Sequence, residues 1–459
     1  MQKLKTFSIG GVHPPENKLT DHMAIRDLPP PPQVAIPVSQ HIGKPGQLQV
    51  ERGTTVRVGT LLAKADGFIS AAVHSSVSGT VKKIDSVIDS QGHRRQAVII
   101  AVEGDEWEEG IDTSPELLED ISLDRGAIVT RIAEAGIVGA GGATFPTAVK
   151  FSIPEGRTID TLIINGVECE PYLTADHRLM LENADELIVG TRLLMQAAGV
   201  ARAFIGIESN KPDAIELLQE RIRLKAGEGK IPEGFISVLA LQQRYPQGGE
   251  KQLIQAATGR EVPSGKLPLD VHCVVSNVST TIAVYQAMQK NRPFVDRIVT
   301  VTGKALVAAG GGANLRVRIG TPLGAVIEAA GGVPDGTGKI IMGGPMTGRS
   351  VTSLEVPITK GSGGVIMIDR SEARRYAVGH CIRCSRCVGG CPMGLEPYLL
   401  EKLVQKERYE EAEALSIMDC IECGSCSYSC PANRPLLDWI RLGKGKVGEL
   451  RRARMRGTT

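Results

Sequence analysis

The sequence predicts a multidomain chain of mixed α/β and α+β class. Three observations predict it: short β-type runs near the N-terminus, a glycine-rich loop followed by an apolar strand in the middle, and a doubled cysteine repeat near the C-terminus. The 459 residues suffice for three or four ordinary domains. A hydrophobic fraction of 42% with 23% charged residues fits a folded globular chain. The formal charge of +2 and 3% aromatic content argue against a nucleic-acid partner, which needs a basic field and stacking surfaces. No apolar run reaches the roughly 18 residues of a membrane span. Met1–Pro14 lacks the charged-then-apolar layout of a signal peptide. The expectation is a cytoplasmic protein that meets a membrane only through partners.

Residues 1–35 are rich in proline (Pro14, Pro15, Pro29 to Pro32) and read as an extended lead-in. Residues 36–110 show short β-type runs with turns. VERGTTVRVGTLLAK and SSVSGTVKKI resemble a barrel-sandwich module of the biotinyl/lipoyl type, without an evident attachment lysine. A docking module and a plain scaffold are both open for it.

In residues 116–290, Gly136 to Lys150 reads GIVGAGGATFPTAVK after a helix-like stretch, Ile128 to Ala135. Dense glycines let backbone N–H groups face a phosphate or a flat ring, and Lys150 adds a cation. A glycine-rich loop alone is more often a turn. Here, however, Thr161 to Asn165 (TLIIN) follows as a buried-strand pattern and leads into GVECEPYLTADHR. Asn165, Glu168 and Glu170 thus stand at the carboxyl end of a strand, where Rossmann-like sheets place ligands. A solvated acidic loop is the other reading. Cys169 and Cys273 are lone cysteines, usually small buried hydrophobes.

Residues 296–350 hold two strand-like runs and a helix with glycine turns (IVTVTGKA, VRIGTPLGAVIEAAGG), which fit a small β-grasp domain with no catalytic residue. Residues 372–440 carry the repeat. Cys381, Cys384, Cys387 and Cys391 follow C-x2-C-x2-C-x3-C with Pro392 next; Cys420, Cys423, Cys426 and Cys430 repeat it with Pro431 next. This is the spacing of two-cluster ferredoxins. Three thiolates on one tight loop each take an iron of a cubane, and the fourth cysteine, on the departing segment, points to the other cluster. One [4Fe–4S] cluster is therefore assigned Cys381, Cys384, Cys387 and Cys430, the other Cys391, Cys420, Cys423 and Cys426. Zinc sites usually pair cysteines across longer gaps. Leu395 to Met418 has helical periodicity and predicts a helical insert between the two halves. The tail, 441–459, holds seven Lys and Arg against Glu449. It reads as a solvated, partly disordered tail or as a contact for anionic lipid or an acidic partner.

GGVHPPENK (Gly10–Lys18), GAGGATFPTAVK (Gly139–Lys150), NGVECEPYLTADHRLM (Asn165–Met180), YPQGGEKQLI (Tyr245–Ile254), SNVST (Ser276–Thr280), GGPMTG (Gly343–Gly348) and both cysteine sets occur in one order along nearly the whole chain. In this the chain resembles the C subunit of the Rnf electron-transport complex, whose flavin domain is similar to the NADH-binding 51-kDa subunit of respiratory complex I. The resemblance implies non-covalent FMN held by Gly139, Gly141, Gly142 and Lys150, with Asn165, Glu250, Asn277 and Thr280 as further flavin-site residues. It implies Phe145 near the NADH adenine, and Glu168 and Glu170 beside flavin and nicotinamide as the catalytic-site acids. Val167 and Gly249 depart from the complex I pattern, which has Asp and Glu there. The implied β-grasp module is of the soluble-ligand-binding (SLBB) kind.

The implied function is reversible electron passage between NAD(H), FMN and two clusters, coupled in membrane-embedded subunits to sodium or proton movement. The implied partners are those subunits and a ferredoxin-like B subunit, and the implied location is the cytoplasmic face of the inner membrane. Two other readings stand beside it. A corrinoid reductase of the propanediol-utilisation type is built from similar parts but starts at the flavin domain. A non-catalytic ferredoxin-like adaptor would lack the nucleotide site.

Overall fold

Strands Ile236–Leu241, Ala203–Glu208, Thr161–Asn165 and Cys273–Asn277 lie side by side, in that order and all parallel, in a computed structural model that describes residues 4–457. Their apolar, β-branched runs are covered on both faces, as parallel sheets require. Helices Arg125–Glu134, Ala184–Ala198 and Val278–Gln289 share one core with them, through Ile128, Leu187, Leu194 and Val284. The chain leaves Thr161–Asn165, builds two strands on one side, and returns as Cys273–Asn277 on the other. The crevice between these two strands is thus a topological switch point, open at their carboxyl ends.

The N-terminal module is two small antiparallel sheets. One joins Gln33–Pro37, Arg94–Val102, Gly79–Ile88 and Thr55–Val56; the other joins Gln47–Leu48, Leu61–Lys64 and Val73–His74. Val34, Ile36, Leu62, Val98 and Ile100 fill the space between them. A third, mixed sheet joins Ile25–Asp27, Ala313–Arg318, Asp296–Thr302, Gly364–Asp369, Thr337–Met342 and Arg349–Ser350, with helix Leu323–Ala329 on its core. It runs past the expected boundary at residue 350 because Gly364–Asp369 pairs in parallel with Asp296–Thr302, a non-local contact that leaves no local signature.

The first residues are extended, as expected, but they are a strap rather than a free lead-in. Lys5 bridges to Leu241, Val12 to Tyr245, and Ile25–Asp27 joins the third sheet. The Arg244 guanidinium stacks on Phe7 at 4.4 Å and donates to the carbonyls of Phe7 and Gly10. Helices Pro397–Gln405 and Tyr409–Ala414 form the expected insert.

The basic tail is a correction. It continues helix Leu436–Gly457, because its cations have partners outside the tail. Arg451 and Arg454 reach Glu413 at 2.6 and 2.7 Å, and Arg441 and Lys444 reach Glu422 at 3.1 and 2.8 Å. Thr458 and Thr459 lie outside the described residues.

Lys360 pins three units together. Its buried ammonium donates to the carbonyls of Ala72 in the N-terminal module (2.7 Å) and Gly136 in the parallel-sheet unit (2.6 Å). Burial lowers its pKa from 10.5 to about 7, and holds the neighbouring His74 down at about 3. Lys360→Met leaves two buried carbonyls without a donor and is expected to cost about 2–4 kcal/mol. Between pH 7 and 10.5 the unfolded chain binds more protons at this lysine than the folded one, so its contribution to stability rises with pH across that window. Thermal unfolding midpoints at about pH 7 and about pH 9.5 test both effects, and the variant is expected to lose that part of the slope.

Candidate functional site

The glycine-rich loop closes on itself. Gly139 N–H donates to the Phe145 carbonyl at 2.9 Å and Thr144 N–H to the Gly139 carbonyl at 3.1 Å. Ala140 is clamped from both sides: its N–H donates to Thr280 Oγ1 at 2.9 Å, and its carbonyl accepts from the buried Arg297 at 3.1 Å. Gly141 and Gly142 are left exposed. A Cβ on Gly141 would sit 3.5 Å from the Asn277 side chain, and Gly142 has a φ of +110° that disfavours any side chain. Asn277 caps helix Val278–Gln289 through Thr280 N–H. Asn165 and Asn277 are paired in register at the carboxyl ends of their strands, so both stand at the switch point. Asn165 Nδ2 is held by the Gly248 carbonyl at 2.8 Å. Lys150 reaches in from the other side, bonded to Glu250 at 2.7 Å and to the Val275 carbonyl at 3.2 Å. Gly139, Gly141, Gly142, Lys150, Asn165, Glu250, Asn277 and Thr280 thus converge, with Phe145 half-buried at the loop's end. Exposed glycine N–H groups, one cation and two side-chain amides fit a phosphate joined to a polar planar ring.

Glu168 and Glu170 are not poised in an open cleft. Glu168, at a φ of +45°, accepts from the N–H groups of Asp176 (2.8 Å) and His177 (3.1 Å), and so caps helix Ala175–Glu182. Glu170 accepts from Met346 N–H at 3.1 Å and from the Thr347 hydroxyl; burial raises its pKa. It latches the parallel-sheet unit to the GGPMTG loop of the third sheet. The turn between them is held by two cations. Lys18 donates to the carbonyls of Glu168, Glu170 and Leu173 at 2.8, 3.0 and 2.7 Å. Lys211 donates to the Val167 carbonyl at 2.8 Å, and burial lowers its pKa to about 8.

Asp176 is half-buried and accepts from Asn277 Nδ2 at 2.6 Å and Ser279 Oγ at 3.0 Å. Burial, then the Glu168 charge, pushes it up to about 6. The carbonyls and side chains that Lys18, Asp176 and Arg297 hold lie about a hundred residues or more away, so their roles leave no local signal.

The eight repeat cysteines separate into two groups. Cys381, Cys384, Cys387 and Cys430 line one cavity of about 310 Å³. Cys391, Cys420, Cys423 and Cys426 line a second, tighter one. Each cavity takes its fourth cysteine from the other motif, the crossed arrangement expected from the spacing. Each quartet lines a space rather than meeting at a point, which suits a cubane. The second group is packed against the parallel-sheet unit: the Tyr245 hydroxyl donates to the Cys423 carbonyl at 2.7 Å, Gln252 to the Pro392 carbonyl at 3.3 Å. Burial raises three of these thiols, Cys423 and, to about 11 and about 12, Cys420 and Cys426. In the first group, Cys384 is exposed.

Comparison with known proteins gives three matching family models: the RnfC barrel sandwich hybrid domain over residues 5–105, the Nuo51 FMN-binding domain over 132–286, and the 4Fe-4S dicluster domain over 373–436. Among curated relatives, the C subunit of a proton-translocating ferredoxin:NAD(+) oxidoreductase complex from Clostridium ljungdahlii is 44% identical over 457 residues, spanning 98% of this chain and 96% of its own length. Its Na(+)-translocating counterpart from Acetobacterium woodii is 40% identical over 96% of this chain and 97% of its own. The C subunit of an ion-translocating oxidoreductase complex from Rhodobacter capsulatus is 39% identical over 97% of this chain and 84% of its own.

Proposed function

The chain belongs to the family of C subunits of ion-translocating ferredoxin:NAD(+) oxidoreductase complexes, and from that premise we propose that it passes electrons between NAD(H) and a protein partner by way of bound FMN and two [4Fe–4S] clusters. FMN supplies exchange between hydride and single electrons, and the clusters carry electrons singly. One observation carries the order of the path: the second cysteine group abuts the flavin-type unit at Tyr245, while the first opens to solvent at Cys384.

The chain's own residues bind and orient. The N–H groups of Gly141 and Gly142 and the Lys150 ammonium take the phosphate. Asn165 and Asn277 orient the ring, Asp176 fixes the Asn277 amide, and Phe145 flanks the dinucleotide. Glu168 and Glu170 act through structure, one as a helix cap and the other as a latch to Thr347, and so keep the ring-side turn in place. Among the described residues no helix is long and apolar enough to cross a membrane. Ion movement is assigned to membrane-embedded partner subunits, with this chain docked at their cytoplasmic face beside a ferredoxin-like B subunit. The match of residues 5–105 to the RnfC barrel-sandwich model favours this reading over a corrinoid reductase.

Anaerobic purification with iron, sulfide and flavin quantification, followed by NADH titration under optical and EPR observation, tests the proposal. About eight irons and one FMN per chain are expected, with NADH bleaching the flavin. Protein without flavin and inert to NADH would leave the adaptor reading. Lys150→Met is expected to weaken FMN retention by about tenfold or more with iron content unchanged. Flavin retained at the wild-type level would remove Lys150 from the phosphate site.

A further inference from the structure

We propose that the rim of the first cysteine group is a docking surface for an acidic protein domain that carries a one-electron centre. The inference rests on assigning a cluster to Cys381, Cys384, Cys387 and Cys430, and adds the chemistry of its partner. From Ala373 to Leu395 the chain carries Arg374, Arg375, Arg383 and Arg386 and no carboxylate. All four arginines are exposed. The same segment exposes three large apolar side chains, Tyr376 (65%), Val378 (60%) and Ile382 (69%). Ile382 and Arg383 line the cavity itself, and Gly379 N–H, bonded to the Ala432 carbonyl at 2.9 Å, ties the preceding segment to the cavity's far wall.

The second group has no such rim. The cations beside it, Arg441 and Lys444, are neutralised by Glu422, and the group is covered by the chain's own Tyr245. Near the first group the buried carboxylate, Glu401, is already paired with Arg434 at 2.8 Å. The result is a segment rich in exposed arginine and apolar side chains that leads to an exposed cluster thiol, with its nearest carboxylates, Glu372 and Glu396, engaged by Lys304 and the Tyr398 hydroxyl. That is the anatomy of a small, electrostatically steered interface. An anionic lipid surface would answer the charge, but it offers nothing to accept or supply an electron at Cys384. In the proposed encounter one electron passes between the first cluster and the partner's centre, with no bond made or broken.

The test measures binding, so it does not depend on NADH chemistry. The holoprotein is titrated calorimetrically with a strongly acidic bacterial two-cluster ferredoxin at about 20 mM and about 300 mM salt. Binding is expected to weaken by about tenfold or more at the higher salt. The double variant R374E/R375E is expected to weaken it by about tenfold at low salt and little at high salt. Tyr376→Ala should weaken it by about tenfold at both. Iron and flavin contents of both variants should match the parent, which separates a lost surface from a lost fold. Unchanged affinity in both variants overturns the proposal. So does sedimentation with phosphatidylglycerol vesicles that R374E/R375E abolishes while ferredoxin binding persists.

Discussion

Replacing Cys391 with serine is expected to remove the cluster whose other thiolates come from Cys420, Cys423 and Cys426, and to leave the first cluster in place. By position in the chain Cys391 belongs to the first motif, only four residues past Cys387. In space it belongs to the second, where it lines the tight cavity with the other three and its sulfur accepts the Leu395 N–H at 3.4 Å. Hydrogen bonds of this kind, repeated at Cys420 from Glu422 N–H, fix the thiolate and tune the potential of what it binds. A serine hydroxyl is a poor iron ligand at neutral pH. Iron should fall from about eight to about four per chain, with acid-labile sulfide falling in step. The EPR signal that survives should be the one lost in Cys384→Ser. If Cys391→Ser instead abolished that signal and spared the other, the crossed pairing would be wrong. Because the second group lies between the flavin-type unit and the first group, the variant should also strand electrons on the flavin.

Much of this arrangement was legible in the sequence because it is written locally. Each cysteine repeat is a short stretch whose spacing is its geometry, and the TLIIN strand with its following loop carries its own pattern. The insert helices show their periodicity. What was not legible depends on distant partners. The tail reads as unpaired charge until Glu413 and Glu422 are brought beside it. Glu168 and Glu170 are acidic residues in a promising loop, and only the fold shows that one caps the helix beginning at Ala175 and the other holds Thr347. The third sheet ends at Asp369, rather than near residue 350, through a parallel pairing across some sixty residues of sequence. The proline-rich start has the composition of a linker, yet among the described residues its bridges run to segments that follow much later.

That strap is the basis of the second large effect: Gly10→Val is expected to uncouple the flavin from the clusters while leaving both bound groups reducible in isolation. Gly10 has a φ of +70°, and a Cβ there would lie 2.3 Å from the backbone carbon and oxygen of Cys391 and 2.5 Å from the Pro392 nitrogen. Neither neighbour is the flexible end of a side chain, so the strap or the Cys391 loop must shift. Left-handed backbone and overpacking together cost about 2–4 kcal/mol. The adjacent bond from Gly11 N–H to the Gly390 carbonyl, 3.0 Å, is lost with the shift. The shift disturbs either the loop that carries the Cys391 thiolate or the strap that, through Val12, seats Tyr245, whose hydroxyl bonds the Cys423 carbonyl. FMN content and NADH-driven flavin bleaching should therefore stay near the parent level, while cluster reduction in stopped-flow mixing slows by about tenfold or more. Gly53→Val separates contact from backbone conformation. It imposes the same kind of positive-φ penalty, at +90°, where an added Cβ meets nothing within 4 Å. Equal slowing in both variants would show that global destabilisation, not the strap's grip on Cys391, controls the electron path.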